Sequence, residues 1–138
     1  MKSLRYISNL RRRGGAVLET ALVLPVLISI TFGAIEFGYY FWIQNTLEGA
    51  ARNGARAAII SGATNTDVTS AVNAELTAAG LKTSSYTITT NPTSISGASA
   101  GTNITVTVGS TWGQVGFKAL GIIGSSQSIN GTCVMRHE

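Results

Sequence analysis

The chain has 138 residues, only 12% of them charged, about half the share usual in a soluble domain. That length accommodates one small domain, or a membrane segment with a smaller domain attached. The formal net charge of +4 comes from the first fourteen residues, where Lys2, Arg5, Arg11, Arg12 and Arg13 stand with no acid. The rest of the chain carries five basic residues against six acids, a net charge of −1, so it lacks the basic face that nucleic-acid binding requires. The single cysteine, Cys133, cannot form an intrachain disulfide or build a zinc site, and reads as a small apolar residue on a strand.

Residues 1–13 are basic, with Leu4, Tyr6, Ile7 and Leu10 interleaved, a poor fold element that reads, through Gly14, as a leader. From Ala16 to Ile35 the chain is apolar apart from Glu19, Thr20, Ser29 and Thr31. Twenty helical residues at 1.5 Å each span about 30 Å, the thickness of a bilayer core. Hydroxyls are tolerated there because they bond back to the preceding turn. Pro25 removes one backbone hydrogen bond and is expected to kink or loosen the helix. Glu19 is costly, roughly 2.5–3.5 kcal/mol at a helix centre and less near an end, so it calls for a partner.

The far end of the run carries Phe37, Tyr39, Tyr40, Phe41 and Trp42, expected to form an interfacial belt, with core packing as the alternative. With Arg11, Arg12 and Arg13 on the near flank, the positive-inside rule places the N-terminus in the cytoplasm and everything after Trp42 outside. Helical spacing continues through Ile43, Leu47, Ala50, Ala51, Gly54, Ala55, Ala58 and Ile59, with Glu48 and Arg52 as an i, i+4 pair. Ala50, Gly54 and Ala58 form a row of small residues open to close helix packing, against either the chain's own domain or another subunit. Ser61-Gly62 is expected to end the helix.

Residues 62–138 predict a small external α+β domain. Thr66 or Asp67 is the expected cap of a short helix with Val68, Ala71, Val72, Leu76 and Ala79 on its apolar face, closed by Gly80 and Leu81. Strands are expected around Tyr86 and Ile88, over Ile104 to Val108, and from Ser128 to Arg136, with a Ser/Gly/Ala-rich loop from Asn91-Pro92 to Gly101. Trp112 to Ile123, broken by Gly113, Gly116 and Gly121, reads as loop or a short helical turn. About 77 residues make a marginal core, so support from the outer half of the long helix is expected. The predicted class is therefore α+β: a long N-terminal helix, membrane-spanning to about residue 42, then a short packed helix on a small antiparallel sheet.

Catalytic chemistry finds little material. The one histidine, His137, reads as an exposed terminal residue; it and Glu138 offer no third metal ligand. No phosphate-binding glycine motif occurs, and the carboxylates are too scattered for paired acid–base work. No enzyme activity, cofactor or metal is expected.

A secretory signal peptide would need small residues after its apolar core, where this chain has Glu36-Phe37-Gly38-Tyr39-Tyr40. Basic residues, then glycine, then an apolar run with a glutamate at its fifth place instead resemble the class III signal of type IV pilins and pseudopilins. Cleavage after Gly14 makes Gly15 the first residue and Glu19 the fifth; cleavage after Gly15 would make the glutamate fourth. Gly14 to Glu19, Ala21 to Leu27, Gly33 to Gly38 and Ala50 to Ala58 together are similar to the TadE-like family of the tight-adherence (Flp pilus) machinery. The Met135-Arg136-His137-Glu138 ending also resembles that family's final strand.

The resemblance implies a pseudopilin-like component needed for pilus assembly, pilin-like in fold, processed by a prepilin peptidase. Its implied partners are other pilins or pseudopilins, inner-membrane assembly proteins and the lipid bilayer, at a bacterial inner membrane or within a pilus. The new α-amino group at Gly15 would be largely charged near neutral pH and would give Glu19 a partner, in the same chain or a neighbour. The alternative from another class is a membrane-anchored external binding module with the helix as a simple tether.

Overall fold

The computed structural model describes residues 3–117 and 121–138, with side chains from residue 15 onward. It is α+β: one long helix followed by two short helices, a 3-10 turn and a three-stranded antiparallel sheet. The long helix α1 runs from Ser3 to Ala58, 56 residues, about 84 Å at the standard rise. It begins within the segment expected to be a poor fold element, and ends three residues before Ser61, Gly62 taking a positive φ of 81° in the turn that follows.

Helix α1 passes through Pro25 without interruption. The hydroxyls along it bond back as expected: Thr20 donates to the Ala16 carbonyl at 2.9 Å, Ser29 to Pro25 at 2.8 Å and Thr31 to Leu27 at 2.8 Å. These bonds hide side-chain donors within the helix itself, so only hydrocarbon need face an apolar solvent.

Helix α2 spans Asn65–Ala78. Its cap is Thr64, not Thr66 or Asp67. The Thr64 hydroxyl accepts from the Asp67 N–H while the Asp67 carboxylate accepts from the Thr64 N–H, a reciprocal capping box one half-turn earlier than predicted. Val68, Val72 and Leu76 are its buried face. At the other end Leu81 N–H reaches the Leu76 carbonyl at 2.9 Å and Gly80 supplies φ +80°, closing the helix with Leu81 buried. The Asn65 side chain, in the first turn of α2, accepts from the Ile95 N–H and donates to the Thr93 carbonyl, pinning the long loop so that Ile95 is buried.

Strands β1 (Thr87–Asn91), β2 (Asn103–Thr111) and β3 (Ser128–Arg136) form the sheet in the order β1-β2-β3. Ile104, Val106, Val108 and Ser110 of β2 point inward and alternate with half-buried or exposed neighbours. Opposite them on β3 lie Met135, Cys133, Gly131 and Ile129. Gly131 is the point of closest approach: a Cβ there would collide with the backbone of Leu47 and Glu48, so only glycine lets β3 cross α1 at this depth. A one-turn helix α3 (Trp112–Val115) follows β2 and buries Trp112 completely.

One core joins these elements. Its members from α1 are Ile43, Leu47, Ala50, Ala51, Ala55 and Ala58, all fully buried against residues of α2 and the sheet. The outer third of α1 is thus a structural member of the domain it carries.

Candidate functional site

The surface of α1 divides at Gly33. Between residues 15 and 35 every side chain but that glycine position is exposed, including Val17, Leu18, Leu22, Leu24, Val26, Leu27 and Ile30. The apolar window has a mean hydropathy of 2.0 and none of it is buried. A helix this apolar, this long and this uncovered is able to cross a membrane. Glu19 stands exposed on it and makes no ion pair among the described residues. Gly15, four residues earlier and one helical turn away, has open space where a Cβ would be. Gly14 and the side chains of Arg11, Arg12 and Arg13 lie outside the residues whose surroundings are described.

From Gly33 onward one face of α1 is covered. Gly33, Glu36, Ile43, Leu47, Ala50, Gly54 and Ala58 are buried in steps of three, four and seven, the spacing of one helical stripe. Glu36 is 0% exposed, although it sits where the apolar run ends. Its Oε1 accepts the main-chain N–H of Ile123 at 3.1 Å. The bond holds the chain at Ile122 and Ile123 against the helix, and Ile122 comes to rest over Gly33. A groove of about 400 Å³ follows, lined by Phe37, Tyr40 and Phe41 from α1 and Ile122, Gly124 and Gln127 from the segment.

The aromatic cluster is shared between two roles. Tyr39 and Tyr40 turn inward, their ring centroids 5.9 and 5.6 Å from that of Trp112. Phe37, Phe41 and Trp42 stay on the surface. The packing explains the split: Trp112 is wholly buried and its broad ring needs neighbours on the α1 side, which the two tyrosines supply.

The small-residue row lies beneath the chain's own domain. A Cβ on Gly54 would fall 2.6 Å from Val72 Cγ2 of α2 and 3.2 Å from Val106 Cγ1 of β2; Ala50 and Ala58 are fully buried on the same side. Glu48 and Arg52 form their pair at 3.6 Å on the exposed side, where such a contact contributes little.

Elsewhere the polar groups serve the fold. Thr64 donates from its hydroxyl at 2.6 Å and its N–H at 2.9 Å to Asp67, holding that carboxyl below its ordinary range. Burial pushes the Tyr86 hydroxyl up, and it donates to Asn73 at 2.7 Å. His137 is not an exposed terminal residue: it is half-buried, its N–H donating to the Thr102 carbonyl and its carbonyl accepting from Gly101. Main-chain pairing beyond the end of β3 draws it in. Cys133 is half-buried on β3. Among the described residues no group of three or more His, Cys, Asp or Glu side chains is placed to hold a metal ion.

Glu36 is the site residue that sequence reasoning passed over. Its signal was present, a carboxylate closing an apolar run three residues after Gly33, but its partner lies 87 residues away and follows no motif.

The fold and site together define a class: an α+β protein on a single long apolar helix, with the domain seated at the helix's far end. Residues 14–56 match the family model described as TadE-like protein, which covers the anchor, the seat and nearly all the buried stripe of α1. Neither the curated proteins nor the solved structures include a significant match to the chain.

Proposed function

We propose that this chain is a pseudopilin-like component needed to assemble a bacterial tight-adherence pilus. In this reading a prepilin peptidase removes residues 1–14 on the cytoplasmic side. Arg11, Arg12 and Arg13 hold that side in place before the cut. The mature helix begins at Gly15 in the inner membrane, and residues 62–138 with the outer part of α1 lie outside. The protein acts by packing its helix against other pilins, pseudopilins or inner-membrane assembly proteins. Substrate turnover has no part in this.

The observation that carries the reading is Glu19. It stands exposed on an uncovered apolar helix, one turn after Gly15, within the stretch that matches the TadE-like model. A carboxylate in that setting is stabilised by a cationic partner, and the α-amino group created at Gly15 is one. Pairing between neighbouring chains would set the axial register of packed helices. Ala50, Gly54 and Ala58 then act within the protomer, holding α1 to its own domain.

The test is Glu19→Ala in the host. Membrane insertion is expected to persist while pilus assembly is lost; normal pili with this variant would overturn the role. Processing is read separately by Gly14→Trp, which should leave the precursor unprocessed and heavier by its fourteen-residue leader. Mass spectrometry of the mature N-terminus distinguishes a start at Gly15 from the intact Met1 expected of a simple tether.

A further inference from the structure

The domain does not begin where the apolar run ends; it reaches back over it. Gly33 lies inside the run that closes at Ile35, and a Cβ on Gly33 would stand 3.5 Å from Ile122 Cδ1. Ile122 is nevertheless 54% exposed. On α1 Phe37 and Phe41, also exposed, lie in the same groove as Ile122. Together Phe37, Phe41 and Ile122 line one groove, part helix and part the chain after Gly121. From Gly33 to Phe37 is about 6 Å along the helix axis, the depth of one headgroup layer.

A segment at that depth needs its backbone donors satisfied, and a carboxylate there needs cover. Glu36 answers both needs: it is fully buried and accepts the Ile123 N–H. The polar contact is turned inward and the isoleucine beside it outward.

We propose that Ile122 forms a second membrane contact, inserting into the outer headgroup region beside α1 and seating the domain on the lipid surface. The inference rests on the membrane-spanning reading of α1. Lipid is the occupant because Ile122 lies against Gly33, inside the exposed apolar run of α1, and shares its groove with the exposed aromatics Phe37 and Phe41.

The experiment uses the full chain in vesicles of phosphatidylcholine and phosphatidylglycerol, with Cys133→Ala as background. Nitroxide labels are placed singly on Leu24→Cys, Ile122→Cys and Thr89→Cys, all exposed positions, so folding is not at stake. Collision with oxygen relative to a water-soluble nickel complex reports depth. The expected result is a lipid-like ratio at Leu24, a ratio at Ile122 several-fold above that at Thr89, and a water-like ratio at Thr89. A water-like Ile122 with a lipid-like Leu24 overturns this proposal alone. A water-like Leu24 overturns the spanning reading and this proposal with it. Strong dipolar broadening between Ile122 labels on different molecules assigns the patch to a second copy and also overturns it.

Discussion

Glu36 shows how one side chain can decide where a domain sits. Its carboxylate is fully buried beside the apolar span and accepts a main-chain N–H from the far end of the sequence. Removing the acceptor leaves that N–H covered and unsatisfied, a loss of about 1–3 kcal/mol. Glu36→Ala is therefore expected to lower the thermal midpoint in detergent micelles, read by the fluorescence of Trp112 in a Trp42→Phe background. Glu36→Gln, which keeps an oxygen in the same place, should lose much less; equal losses would show that the charge and not the bond matters. Residues of this kind were the least legible in the sequence. Glu19 announced itself by standing inside an apolar run, whereas Glu36 stood at its edge and could have been ordinary surface. Gly131 likewise gave no sign, because its requirement comes from the Leu47 backbone on a different element.

At the scale of elements, local chemistry was more readable. The apolar spacing of α2, the Gly80-Leu81 stop and the alternation of β2 all describe what the chain forms. The start of α2 was read two to three residues late because Thr64, Thr66 and Asp67 are all capping types, and only the reciprocal bond picks Thr64. Thr64→Ala should cost about 1 kcal/mol of stability at neutral pH. The cap also predicts an acid response. Thr64 holds the Asp67 carboxyl below its ordinary 3.8, so the folded state binds that proton less tightly than the unfolded chain. The stabilisation is complete above the unfolded value and fades as pH falls through the lower folded one. Unfolding followed from pH about 6 down to about 2 should show the wild type converging on Asp67→Asn at the acid end. A constant gap between the two would reject the assignment.

At the scale of the molecule, the sequence showed a long helix and a small α+β domain, and the structure has both. What it could not show is how deeply they share residues. Six core members come from α1, and the same helical stripe that builds the core extends back to Gly33. Small residues at 50, 54 and 58 were compatible with an outside partner; the valines of α2 and β2 that fill the space are distant in sequence. Composition limits the domain for the same reason, since a chain so poor in large apolar residues after position 62 gains by sharing the helix's own face.

The uninterrupted course of α1 through anchor and domain has a mechanical result. With no break in the helix between Glu19 and the buried stripe, α1 works as a drive shaft: the compass bearing of Glu19 and the facing of the domain are geared together. Each helical residue turns the shaft by about 100°. One alanine inserted after Ile28 would therefore swing the domain by about 100° against Glu19, whereas seven would return it to within about 20°. If a filament or assembly platform reads both ends at once, the single insertion abolishes assembly and the seven-residue insertion restores part of it. Equal assembly with either length would mean that the two ends are read independently.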